Sequence, residues 1–167
     1  NDSERVRLLV QLGNKIKQTD TTESWRCHKA IDSIAIATGN EYFAGQAFFL
    51  KGTLMISTQN FAALAVLEKA VQSFSKFPGN KRIQLSLGSA LINTGLVHFR
   101  NNDYATAVDY FLQAEQIYLK YNPVSAVLAP LYSNMSMAYS SLNKPEEGLL
   151  ASKKGIDFAR KTNDKQM

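Results

Sequence analysis

Eight small residues at near-equal spacing constrain this chain more than any other feature. Gly13, Gly52, Gly95 and Ser136 are separated by 39, 43 and 41 residues, and Ala30, Ala70, Ala114 and Gly155 by 40, 44 and 41. Each lies in a stretch whose apolar residues recur at steps of three and four, the period of one face of an α-helix. A small residue inside such a stripe lets a neighbouring helix approach closely. Two interleaved series with one period therefore describe one helix pair, written about four times.

The fullest copy is Leu91 to Tyr118. In its first half Leu91, Gly95 and His98 share a helical face, with Ile92, Leu96 and Phe99 on the face beside it. Asn101, Asn102 and Asp103 interrupt the pattern with residues that favour turns and caps. Ala107, Val108, Phe111, Ala114 and Tyr118 then form the stripe of a second helix. So short a turn requires the two helices to pack antiparallel.

The other copies follow the same plan with drift. The first is expected over residues 3–37, with Ser3 as the cap and Thr19 to Thr22 as the turn. It is the most divergent, since Glu23 and Cys27 stand where the best copy has Ala107 and Phe111. The second runs over 41–77 after a Gly39–Asn40 stop, its first helix reaching Ser57 and its second starting at Asn60, and Pro78 to Asn80 end it. The third covers 81–121. The fourth covers 123–162, opened by Asn122 as cap with Pro123 behind it, and its second helix starts at Pro145. Pro130 falls inside the expected first helix of that pair and implies either a kink or a helix whose regular part begins there.

A small residue in the first helix followed by Ala-x-x-x-Phe-x-x-Ala in the second, here Gly95, Ala107, Phe111 and Ala114, resembles a tetratricopeptide repeat (TPR). The expected fold is all-α: an α-α superhelix of about four TPR-like antiparallel pairs, about eight helices, as a single domain over 1–167. A period near 40 in place of ~34 implies helices longer by about a turn. The opening DSERVRLLVQLGNKIKQTD, with KAIDSIAIATGN and EYFAGQAFFLKGTL behind it, is similar to the extracytoplasmic TPR region of Bacteroidetes-type sensor histidine kinases and LuxR-like regulators. That resemblance implies the sensory or assembly segment of a larger bacterial signalling protein, in the periplasm; without it the expectation is the cytoplasm. Asn1 in place of an initiating Met also leads to the expectation of a piece of a longer chain.

Charge adds little to this reading. The net charge is +5, but residues 1–80 carry 9 basic and 7 acidic side chains and residues 81–167 carry 10 and 7, so the surplus is spread and no nucleic-acid partner is expected. Lys153, Lys154, Arg160, Lys161 and Lys165 form the nearest thing to a cluster and suit the C-terminal end of a helix. No apolar run of ~18 residues is present, so this stretch holds no membrane span. Cys27 is the only cysteine.

No enzyme chemistry is legible. His28 and His98 lie in different repeats, and Cys27 beside His28 points about 100° away from it on a helix, which is the wrong geometry for a nucleophile and its base. Glu146 and Glu147 fit the first turn of a helix, where carboxylates suit the dipole. There is no phosphate-binding glycine loop and no metal-ligand spacing, so no catalytic residue, cofactor or metal is assigned.

In TPR proteins the first helices line a concave face that holds a peptide or partner helix. By alignment that face would carry Arg7, Val10, Asn14, Lys17, Gln46, Phe49, Thr53, Ile56, Ser89, Ile92, Leu96, Phe99, Arg100, Ser133, Met137 and Ser140. Too few are cationic for a carboxylate clamp of the co-chaperone type. The partner-binding residues are instead expected to be Phe49, Ile56, Ile92, Leu96, Phe99, Arg100 and Met137, an apolar strip for a protein, a peptide or a second copy of the chain. The alternative is that long helices curl and bury part of the strip. The expected function is a non-enzymatic protein-interaction module, the other reading being a receptor for a small molecule or short signalling peptide.

Overall fold

The computed structural model describes residues 1–56 and 60–163. Ser57, the expected end of the third helix, and Lys165 of the basic cluster lie outside the described residues. Eight α-helices follow one another among the described residues: α1 (Asp2–Ile16), α2 (Thr21–Thr38), α3 (Glu41–Met55), α4 (Asn60–Ser75), α5 (Lys81–Arg100), α6 (Tyr104–Tyr121), α7 (Leu128–Ser141) and α8 (Pro145–Asn163). They group into two compact units, Asn1–Ala90 and Leu91–Met167.

Local chemistry sets the helix starts. Asn1, not Ser3, caps α1, its Oδ1 accepting the Glu4 amide at 3.0 Å. Asp20 caps α2 and Asp103 caps α6 in the same way, accepting from the Glu23 amide at 2.9 Å and the Thr106 amide at 3.3 Å. Gly39 closes α2 with φ +61°, and Asn40 then caps α3 through the Tyr42 and Phe43 amides. Two asparagines take the same left-handed role: Asn102 at φ 61° after α5 and Asn143 at φ 57° after α7. In both turns the following residue reaches back five positions, Asp103 N–H to the His98 carbonyl at 3.0 Å and Lys144 N–H to the Tyr139 carbonyl at 2.9 Å. The two turns are thus copies of one another, each satisfying carbonyls that a helix end leaves open.

The fourth pair departs from its expected start. Residues 122–127 are not helical, and α7 begins at Leu128, with Ser125 Oγ accepting the Val127 amide at 3.3 Å. The cause is Pro130. Third in the helix, it stands where an N–H would have no intrahelical partner, so the missing donor is harmless there and would not be in a helix starting at Pro123.

In the first unit Val6, Cys27, Ile31, Phe43, Ala47 and Leu50 form the centre of one apolar cluster. Gly13 is pressed between Leu50 and Cys27: a Cβ there would lie 2.7 Å from Leu50 Cδ2 and 3.3 Å from Cys27 Cβ. A Cβ on Gly52 would lie 2.6 Å from Leu67 in the same way. In α2, however, Ala30 is only half-buried and does not hold the tight position. Ser24 does, fully buried, its hydroxyl donating to the Gly13 carbonyl at 2.8 Å. The buried stripe of α2 is Ser24, Cys27, Ile31, Ile34 and Ala35, which leaves Glu23 and Ala30 beside it.

In the second unit Gly95 sits on Phe111, with Ala107, Ala114 and Phe111 wholly buried. Gly148 and Gly155 let α8 lie close along α7: Cβ atoms there would meet the Ser136 and Ala129 carbonyl oxygens, each at 3.3 Å. Ser136 adds a hydroxyl contact to Ser152 at 2.9 Å.

Substitution separates packing from propensity. A Cβ on Gly95 would lie 2.6 Å from the Phe111 ring and 3.2 Å from the Ala107 carbonyl oxygen, while one on Gly79 would meet nothing within 4 Å. Gly95→Ala gains up to ~1 kcal/mol of helix propensity but overpacks a buried contact at ~1–3 kcal/mol. A net loss of about 1–2 kcal/mol is expected for Gly95→Ala, and a neutral or slightly positive change for Gly79→Ala, both read by urea unfolding.

Candidate functional site

The sequence-derived strip divides by unit. In the first unit Phe49 is 9% exposed and is therefore a core residue, a correction to its assignment as an exposed contact. Its neighbours on the same expected face are buried as well. Gln46 donates from Nε2 to Tyr42 Oη at 2.8 Å and to Ser86 Oγ at 3.0 Å, and Thr53 donates to the Leu50 carbonyl at 2.8 Å. The reason is composition: α3 is apolar on nearly every side and packs on α1, α2 and α4, so it has no free face to offer. Ile56, at its end, is half-buried.

In the second unit more of the strip is open. Ile92, Leu96 and Phe99 of α5 are half-buried, Arg100 is exposed, and Met137 of α7 is 49% exposed with Ser133 and Ser140 exposed beside it. The Phe99 ring is held edge-on to Tyr104, centroids 5.2 Å apart, so it is positioned before any partner arrives.

The residues weighed for catalysis are occupied structurally. His98 stacks on Tyr110 at 5.3 Å, and its Nδ1 lies 3.0 Å from Asp103 Oδ2, which ties the end of α5 to the cap of α6. Asp103 is held below the usual carboxylate range by its hydrogen bond with Thr106 and, less, by His98. Cys27 is buried, and burial pushes its thiol up, the opposite of an activated nucleophile. His28 packs against Trp25 at 5.6 Å in an edge arrangement, with a buried Nδ1 that has no hydrogen-bond partner. Glu146 and Glu147 are exposed in the first turn of α8. Among the described residues no group of three His, Cys, Asp or Glu side chains is placed to hold a metal, and no helix is long and apolar enough to cross a membrane.

The second unit also holds a polar cluster on two buried residues, Glu115 and Tyr132, and the exposed Lys154. Tyr132 Oη donates to Glu115 Oε1 at 2.5 Å, and Lys154 Nζ donates to the same oxygen at 3.2 Å while lying 5.3 Å from the Tyr132 ring centroid. Burial, then the Glu115 carboxylate, raises the Tyr132 phenol far above its ordinary range, so it stays a donor. One signal was available: Glu115 belongs to the apolar stripe of α6, next to Ala114 and three residues before Tyr118. A carboxylate at a core register needs a partner. The cluster joins α6, α7 and α8 and leaves its polar groups paired, which makes it a structural clasp.

With the geometry in view, comparison places the fold. The chain resembles the crystal structure of MamA, a TPR-containing protein, with a TM-score of 0.64 and 15% identity, over 95% of this chain and 81% of that one. The fold is therefore an all-α helical repeat of TPR-like pairs. No family model and no curated protein sequence matches the chain.

His28, in α2 of the first unit, gives the stability of the fold a pH dependence. Burial lowers its pKa below the ordinary 6.5, so the neutral ring is favoured in the folded state. The corresponding stability is present above about pH 6.5 and is lost as pH falls through the lowered value. Melting temperature is expected to drop less between about pH 7 and pH 5 in His28→Leu than in the unmodified chain, as read by circular dichroism.

Proposed function

We propose that this chain is a non-enzymatic protein-interaction module that receives an apolar helix or peptide on the α5–α7 face of its second unit. The observation carrying this reading is the half-exposed row Ile92, Leu96 and Phe99, with Met137 about half exposed on α7 and Arg100 at the end of the row. Such a row offers hydrophobic area where a helix already fixes its spacing, the arrangement by which grooves between helices hold an amphipathic segment. The repeat fold supports it, since stacked pairs present successive first helices as one extended surface. His98 stacks on Tyr110 and Cys27 is buried, and Glu146 and Glu147 stand in the first turn of α8, where carboxylates suit the helix dipole.

On this reading the module belongs to a larger signalling chain, as the sequence resemblance to extracytoplasmic segments of sensor kinases and LuxR-like regulators implies, and an occupied face would alter the geometry handed to an output domain. The adjoining coding sequence bears on this directly: a membrane span followed by a kinase or DNA-binding segment supports it, and their absence removes it.

Binding itself is tested by selecting a peptide library against the immobilised chain. Sequences with apolar residues at i, i+3 or i+4, and i+7 are expected, and Phe99→Glu should weaken the selected peptides at least tenfold in titration calorimetry. Selection of peptides without that period, or binding unchanged by Phe99→Glu, would refute the assignment.

A further inference from the structure

The α5–α7 face differs from the rest of its unit in charge. α7 runs from Leu128 to Ser141 without an Asp, Glu, Lys or Arg, and residues 91–99 of α5 carry none either. The second helices of the same pairs are built otherwise, α6 with Asp109, Glu115 and Lys120, and α8 with Glu147, Lys153, Asp157 and Arg160 among others. Exposed helix positions usually go to charged residues, which water solvates there. On α7 they go to Ser133, Met137 and Ser140, which steps of four and three bring to one side of the helix.

The charges that do reach α7 lie behind it. Buried Tyr132 donates to Glu115, and the half-buried Tyr139 has its phenol pushed up by burial and then by Glu147, Glu115 and Asp109. Tyr139 is two residues from Met137 and so about 160° round the helix from it. On α5 His98 is the one titratable group among residues 91–99, and Asp103 engages it. Arg100 is the last residue of α5, and Lys144 follows the turn after α7, so the positions between bring no charge to a partner. What they do bring is neutral hydrogen bonding. Ser140 donates to the Ser136 carbonyl at 2.9 Å, which leaves its own oxygen as an acceptor.

We infer that this face selects a helical segment whose inner side is uncharged, with apolar residues set against Leu96, Phe99 and Met137 and serine, threonine, asparagine or alanine flanking them. The inference rests on the peptide-binding reading and adds what the site rejects. A Glu or Lys carried onto the face loses its water and gains no ion pair, whereas a hydroxyl or amide exchanges one hydrogen bond for another. Rejection of charged competitors is then as much a part of specificity as attraction to the right segment. Depletion of charge around Phe and Met is also the composition found at the centre of protein interfaces. Attraction of this kind is insensitive to salt.

Titration calorimetry with three synthetic helical peptides tests it. All carry leucine at i, i+4, i+7 and i+11, and the inner flanking positions are serine in the first, glutamate in the second and lysine in the third. Against the unmodified chain the serine peptide is expected to bind and the other two to bind about tenfold more weakly or worse. Its affinity should change less than about threefold between about 0.05 and 0.5 M salt. Ser133→Lys, and independently Ser140→Lys, should recover the glutamate peptide and weaken the lysine peptide further. Both positions are exposed, and circular dichroism establishes that each variant is folded. Charged peptides that bind the unmodified chain as tightly as the serine peptide, a steep loss of the serine peptide with salt, or no gain for the glutamate peptide in either folded variant would each overturn the inference and leave the peptide-binding reading standing. Failure of all three peptides to bind would remove both.

Discussion

Everything in this protein depends on how near two helices of a pair can come. At Gly95 the answer is set by the Phe111 ring, which occupies the space a side chain would fill, and at Gly52 by Leu67. Close approach lets the apolar stripes of short helices bury fully, and burial at roughly 25 cal/mol per Å² is the main term opposing chain entropy. Helices of 14 to 20 residues have little stability of their own in water. Their existence here is a consequence of pairing.

From the same constraint comes the division between faces that are used up and faces that remain. In the first unit α3 is apolar all round and is enclosed, taking Phe49, Gln46 and Thr53 into the interior. In the second unit Gly95 is taken up against Phe111 of α6 and Leu91 and Val97 are buried, while Ile92, Leu96 and Phe99 stay partly open. The open apolar surface of a repeat of this kind is what pairing does not consume. The Glu115–Tyr132–Lys154 clasp shows the converse, a charged group drawn into the core and held there by two donors.

The helix pairs were legible in the sequence because their signals are local: small residues in apolar stripes, Asn and Asp at turns, proline at starts. Where the reading slipped, the deciding interaction was not local. The close contact of α2 with α1 falls at Ser24 and not at Ala30, because the Ser24 hydroxyl donates across the pair to the Gly13 carbonyl, a partner on the other helix. The late start of α7 follows from Pro130, whose tolerance depends on the helix turn in which it falls. Phe49 was placed by alignment with open positions in other repeats, and only the neighbours packed on α3 determine that it is covered. Glu115 was visible as a carboxylate in an apolar stripe, but its partners come from α7 and α8, 17 and 39 residues further on.

The close contact itself can be observed directly by nuclear Overhauser spectroscopy of the labelled chain. Gly95 Hα should show strong cross-peaks to the Phe111 ring protons and a ring-current shift away from random-coil values, and Gly52 Hα should show cross-peaks to the Leu67 methyls. Absence of both sets in a folded sample, with Gly95 Hα at its random-coil position, would contradict the pairing on which the account rests.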